Sequence, residues 1–187
     1  MHLMGRGIHR NAIYRDESDY EIFLQIVKRT QESMPFVLHC YCLMTNHFHM
    51  LVTTGETPIW NIMKRIMCNY AKYYNQKYGY SGHLFDSRYV SCIIKDSIYF
   101  LEVSRYIHLN PVKAKMVRNP LDYLYSSYAA YVSDSANNYI DKEEVLSYFC
   151  GKRTEQYRMF VEGAITHEEH EILIQKEMGE DDKWLPW

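Results

Sequence analysis

This sequence lacks most of what would place it outside a reducing, aqueous compartment. No stretch approaches the roughly 20 uncharged apolar residues that span a bilayer, and the opening MHLMGRG carries no secretory pattern. A cytoplasmic protein with no membrane partner is expected. Cysteine is sparse: Cys40, Cys42, Cys68, Cys92 and Cys150 are odd in number, scattered and without a C-x-x-C pair. They read as reduced thiols, not as a disulfide framework. The H-E-x-x-H helix of zinc proteases is missing too. In THEEHE the histidines His167 and His170 stand three apart, whereas that helix needs i and i+4 with Glu between them. There is no internal repeat and no low-complexity tract.

Net charge is also small, −2 over 187 residues, which alone argues for no nucleic-acid partner. Its distribution says more. Residues 1–120 hold 15 Lys and Arg against 9 Asp and Glu, a net of +6, while residues 121–187 hold 6 against 14, a net of −8. A basic body with an acidic tail suggests a phosphate-binding surface on the first part; a solvated acidic segment without a role is the plain alternative. The expected organisation is one domain over 1–131 and an acidic, mainly helical extension over 132–187.

Hydrophobic spacing gives the elements. Met1 to Met4 is a short strand. Asp16 to Arg29 is helical, with Tyr20, Phe23, Leu24 and Ile26 periodic and Asp16 or Ser18 as cap. Phe36 to Met44 and His47 to Thr54 form a hairpin, and Pro58 opens a long helix, Ile59 to Tyr78. A glycine- and aromatic-rich loop leads to a strand at about Tyr89 to Ile94. Asp96 caps a helix that Pro111 is expected to stop near Leu109. A short helix over Val112 to Val117, loop chemistry at Tyr123 to Tyr131 and a helix starting within Asp141 to Phe149 follow, and 179–187 reads as a loose end. Strand, helix, strand, strand, helix, strand, then helices fits an α+β fold: a ferredoxin-like antiparallel sheet with helices on one face and additional C-terminal helices.

The chemistry centres on YCLMTNHFHMLVTT. Side chains alternate across a strand, so His47 and His49 share a face about 6 to 7 Å apart, while Phe48, Met50 and Val52 take the other. A shared divalent metal is then geometrically easy; two buried, hydrogen-bonded histidines are the bland reading. With Thr45-Asn46 as a two-residue turn, Cys42 would face His49 and could join it on zinc. A structural zinc protein using Cys40 or Cys42 is a further alternative. In the helix after Asp96, Glu102, Tyr106 and Asn110 recur at i, i+4, i+8. The Asn110 amide could complete a His, His, oxygen site with Tyr106 beside it. A phenol has an ordinary pKa of about 10 and is a poor nucleophile at neutral pH. Beside a cation it can attack phosphorus.

The segments YCLMTNHFHMLV, SGHLFDSRYVSCIIKD and YFLEVSRYIHLNPVKAKMV, with RGIHRNAIYRDESDYEIFL, resemble the single-tyrosine HUH transposases, most closely the REP-associated tyrosine transposases. The likeness runs from about Gly5 to Tyr131. It implies an HUH domain that cleaves and rejoins single-stranded DNA near a hairpin, with His47, His49 and Asn110 holding Mg2+ or Mn2+ and Tyr106 forming a 5'-phosphotyrosine. Imidazole ligands suit Mn2+ better on softness grounds. The partner implied is single-stranded or hairpin DNA, bound by a monomer or homodimer. Arg6, Arg10, Lys64, Arg65, Lys72, Arg88, Lys113 and Lys115 are candidates for phosphate contacts, and Tyr80 and Phe85 for stacking on unpaired bases. A catalytically silent, hairpin-binding or regulatory relative is the alternative, and the acidic tail matches the family poorly.

Overall fold

The computed structural model describes residues 1–133 and 135–163. Four strands, β1 (His2–Arg6), β2 (Phe36–Met44), β3 (His47–Thr54) and β4 (Val90–Cys92), form one antiparallel sheet in the order β2-β3-β1-β4. Helices α1 (Glu17–Ser33) and α2 (Ile59–Tyr78) cover one face, and α3 (Ser97–Lys113) packs on β2 and β3 from the other. This is the expected ferredoxin-like fold. The first strand, short as it is, lies in the middle of the sheet.

Alternation along the strands sorts two cores. Leu3, Phe48, Met50 and Val52 meet Phe23, Val27, Ile62 and Tyr70 beneath α1 and α2. Cys40, Cys42 and Leu51 meet Val103 and Ile107 beneath α3. Gly5 permits the first packing: a Cβ there would lie 2.5 Å from the Phe48 ring, closer than any side chain tolerates. Helix α1 starts in a capping box between Asp16 and Asp19. The Lys77 ammonium of α2 bridges those same carboxylates at 2.7 and 2.8 Å, tying the two helices together.

Two expectations require correction. Pro111 does not stop α3, which runs on to Lys113, and no separate helix follows over 112–117. In a last turn the missing proline N–H removes a single intrahelical bond, and Pro111 is buried. The chain reverses instead at Lys115, with φ 56°. The stretch expected to be loop, Tyr123 to Tyr131, contains the start of α4 (Tyr128–Val132).

Beyond α4, α5 (Glu143–Ser147) and α6 (Arg153–Glu162) place Val145, Leu146, Tyr157 and Val161 in the core beneath α3. Packed between the sheet and these helices, α3 buries most of its residues, among them the polar Glu102, Ser104, Arg105, His108 and Asn110. The Leu43 amide donates to the Tyr125 carbonyl at 2.9 Å, the Ser127 amide to Tyr41 at 3.0 Å and the Asp141 amide to Leu38 at 2.8 Å. The outer edge of β2 is therefore covered, which removes a template for edge-to-edge pairing. The THEEHE segment and 179–187 lie outside the described residues.

Candidate active site

The β2–β3 turn is Thr45-Asn46, with Met44 opposite His47 and Cys42 opposite His49. It is strapped to the loop after β1. The Ile13 and Tyr14 amides donate to the Thr45 carbonyl at 2.9 and 3.2 Å, and the Gly7 amide to the Asn46 carbonyl at 2.8 Å. A Cβ on Gly7 would collide with the Asn11 carbonyl oxygen, so this crossing needs glycine. Thus RGIHRNAIYR and TNHFH, distant in sequence, are one structural unit.

That unit orients His47. The Asn46 amide nitrogen donates to the Arg10 carbonyl at 3.0 Å, which turns Asn46 Oδ1 toward His47 Nδ1, 2.7 Å away. An amide oxygen only accepts, so His47 carries its proton on Nδ1 and a lone pair on Nε2. Burial, helped by the Arg6 charge across the strand pair, lowers its pKa to about 4, keeping the ring neutral.

His49 is wholly buried. Burial first, then the neighbouring imidazoles His47 and His2, holds its pKa well below the ordinary value. Its Nδ1 lies 3.0 Å from His2 Nε2, and its Nε2 is buried with no hydrogen-bond partner. The Tyr106 ring stands edge-on to it with centroids 5.6 Å apart. One turn on, the Asn110 amide nitrogen donates to the Tyr106 carbonyl at 2.9 Å, leaving Oδ1 as the donor atom a cation could use. The Lys113 ammonium lies 4.8 Å from the Tyr106 ring centroid, a cation–π distance.

The structure therefore brings His47, His49 and Tyr106 together on the α3 face, with Asn110 and Lys113 on the same helix as Tyr106. His2 was not foreseen. MHLM has no motif of its own, and only the pairing of Met4 with His49 puts His2 diagonal to His49 on the same face. Alternation would have put His2 and Met4 on one face, but not said which. Glu102 is taken up in a buried ion pair with Arg105 at 2.6 Å. The Cys42 thiol donates to Met44 Sδ at 3.6 Å, and burial pushes its pKa well up. Among the described residues no three His, Cys, Asp or Glu side chains converge on a metal-sized site. The donors that could hold a cation are two imidazoles and an amide oxygen.

The basic candidates are divided. Arg6 sits opposite His47 in the sheet and reaches Asp86 at 3.8 Å. Arg10 is exposed, with φ 60°. Lys64 and Arg88 line a groove of about 960 Å³ on the α2 side, with Trp60, Phe85 and Tyr89. Arg65 and Lys72 are exposed on α2 outside that lining, and Lys115 is exposed beyond α3. Tyr80 lines a smaller cavity with Arg15 and Tyr74.

The family model "Transposase IS200 like" matches residues 1–110. The solved structure of a REP-associated tyrosine transposase bound to a REP hairpin superposes with a TM-score of 0.61 at 17% identity, covering 75% of this chain and 86% of that one. A candidate transposase from Deinococcus radiodurans R1 is more remote, with a TM-score of 0.42 at 16% identity over 62% of this chain and 82% of that one. No functionally curated protein matches.

Proposed function

Because the chain belongs to the IS200-like transposase family and is a DNA-processing enzyme, we propose that it cuts and rejoins single-stranded DNA beside a hairpin, with Tyr106 as nucleophile. The observation that carries this reading is the Tyr106 ring 5.6 Å from a buried His49 whose Nε2 has no partner. The hairpin substrate is suggested by the REP hairpin held by the structural relative.

The residues fit a divalent ion. His47 Nε2, His49 Nε2 and Asn110 Oδ1 would hold Mn2+ or Mg2+, with imidazole favouring Mn2+. When bound, the ion polarises the scissile phosphate and favours the phenolate. His47 is held in the ligating tautomer by Asn46. Tyr106 Oη attacks phosphorus: one P–O bond forms, the bond to the 3'-oxygen breaks, and the tyrosine proton is released as the 3'-oxygen gains one. The 5'-phosphotyrosine keeps the bond energy, so return attack by a 3'-hydroxyl rejoins a strand without ATP.

One observation favours a second reading, a protein that holds hairpin DNA without cutting it. Tyr106 is only 4% exposed, and the Lys113 ammonium lies against its ring. The test is denaturing electrophoresis of protein mixed with labelled single-stranded hairpin DNA, with and without Mn2+. A metal-dependent covalent adduct, lost in His49→Ala, is expected. Binding with no adduct in any metal would leave the second reading in place.

A further inference from the structure

His2 has no part in the chemistry above, yet its ring nitrogen meets His49 Nδ1 at hydrogen-bond distance. It lies opposite Leu51 on β3, diagonal to His49, and the two rings are nearly parallel, with centroids 5.2 Å apart and an interplanar angle of 23°. His2 is itself buried and also touches the Tyr106 ring edge, at 5.9 Å.

Two neutral imidazoles sharing one 3.0 Å contact have two ways to do so. If His2 donates, the His49 proton must sit on Nε2, an atom that is buried and has no acceptor. If His49 donates from Nδ1, its Nε2 carries only a lone pair. A buried N–H without an acceptor is rarer in native proteins than an unmet lone pair, and costs its full desolvation. The second arrangement is therefore favoured before any ligand is considered.

We propose that His2 is a positioning residue: its Nε2 accepts the Nδ1–H of His49 and so fixes the tautomer in which His49 Nε2 is free to ligate. His47 receives the same tautomer from a different neighbour, Asn46 Oδ1 at 2.7 Å. Both imidazoles are thus prepared from behind, one by an amide in the turn and one by a histidine on the adjacent strand. The tautomer claim stands on the His2–His49 contact and the unpartnered His49 Nε2; its use in ligation rests on the metal reading above.

The experiment is long-range proton–nitrogen NMR of the imidazoles in the metal-free full chain labelled with 15N, followed by Mn2+ titration monitored by electron paramagnetic resonance. The His49 signals are identified by their loss in His49→Gln. In wild type, His49 should show a protonated Nδ1 and an unprotonated Nε2. His2→Phe keeps ring volume but removes the acceptor. It should mix the two His49 tautomers and weaken Mn2+ binding roughly 10- to 100-fold, while His2→Gln, which restores an acceptor, should recover much of both. A protonated Nε2 on wild-type His49 would overturn the proposal even if His2→Phe failed to fold. An unchanged tautomer and unchanged Mn2+ affinity in folded His2→Phe would overturn it as well. The expected tautomer in a protein that binds no Mn2+ would support the hydrogen-bond assignment and count against the metal reading instead.

Discussion

At the scale of single residues, the site is built by hydrogen bonds that set tautomers more than by charge. Asn46 is the clearest case, because one side chain holds both the Arg10 carbonyl and His47 Nδ1. Asn46→Ala would leave His47 free to carry its proton on either nitrogen. We expect Mn2+ affinity to fall roughly 10- to 100-fold with the circular dichroism spectrum unchanged; an unaltered Kd would remove Asn46 from the site. The sequence made His47 and His49 visible because strand alternation is a local rule. It hid His2, because a diagonal neighbour across two strands depends on register, and register is a property of the folded sheet. Most of the 18 tyrosines looked equivalent for a similar reason. In the fold Tyr70 and Tyr74 donate to the carbonyls of Ile13 and Ala12, pinning the loop after β1, and Tyr123 and Tyr131 donate to those of Leu43 and His39 on β2. Their roles come from partners far away in the chain.

At the scale of elements, α2 was legible to the residue because Pro58 opens a long periodic apolar run; in the fold Gly79 takes the left-handed conformation of a helix end. The end of α3 was not, because the cost of a helical proline depends on how much helix follows it. Helix α6 lies in the extension expected to be mainly helical, but its bounds were not legible: its buried residues are Tyr157 and Val161, whose value lies in what they meet. Tyr157 donates to Ser104 Oγ at 3.1 Å and bonds His108 Nδ1 at 2.8 Å, while His108 Nε2 bonds Ser127 Oγ at 2.8 Å. Tyr157→Phe should cost about 1 to 3 kcal/mol in urea unfolding, without loss of DNA cleavage. The same network makes stability depend on pH. Burial lowers the His108 pKa to about 3, against about 6.5 in the unfolded chain. Above about 6.5 the ring is neutral in both states and adds no slope. Below it the unfolded chain binds a proton that the fold refuses, so stability falls as pH drops toward 3, by up to about 1.4 kcal/mol per pH unit. His2 and His47, both lowered to about 4, add to the same trend. In His108→Asn the slope between about pH 6 and 4 should lose roughly one proton; an unchanged slope would mean His108 is charged in the fold.

At the scale of the molecule, the sheet separates two surfaces. The Tyr106 site lies on the α3 face, and the groove carrying Lys64, Arg88 and Trp60 lies on the α2 face. A DNA strand that engaged both would pass the β4 edge, where Ser91 lines the groove. The charge division of the sequence suggested a phosphate-binding body without indicating where basic residues would gather, since exposed lysines on a helix look alike until a neighbouring loop makes one wall of a cleft. Lys64→Gln combined with Arg88→Gln should weaken single-strand binding and flatten its dependence on log salt by about 1.4, at about 0.7 for each phosphate that is no longer neutralised. An unchanged slope in fluorescence anisotropy would place the phosphate path elsewhere. No helix among the described residues is long and apolar enough to cross a membrane.

The central claim is that Tyr106, among 18 tyrosines, bonds covalently to DNA. It is tested most directly by trapping the adduct with single-stranded hairpin DNA and Mn2+, digesting both components and locating the nucleotide-bearing peptide by mass spectrometry. A 5'-phosphonucleotide is predicted on the peptide containing Tyr106, with no adduct from Tyr106→Phe although that variant still binds the DNA. An adduct on another tyrosine, or one that persists in Tyr106→Phe, would contradict the claim.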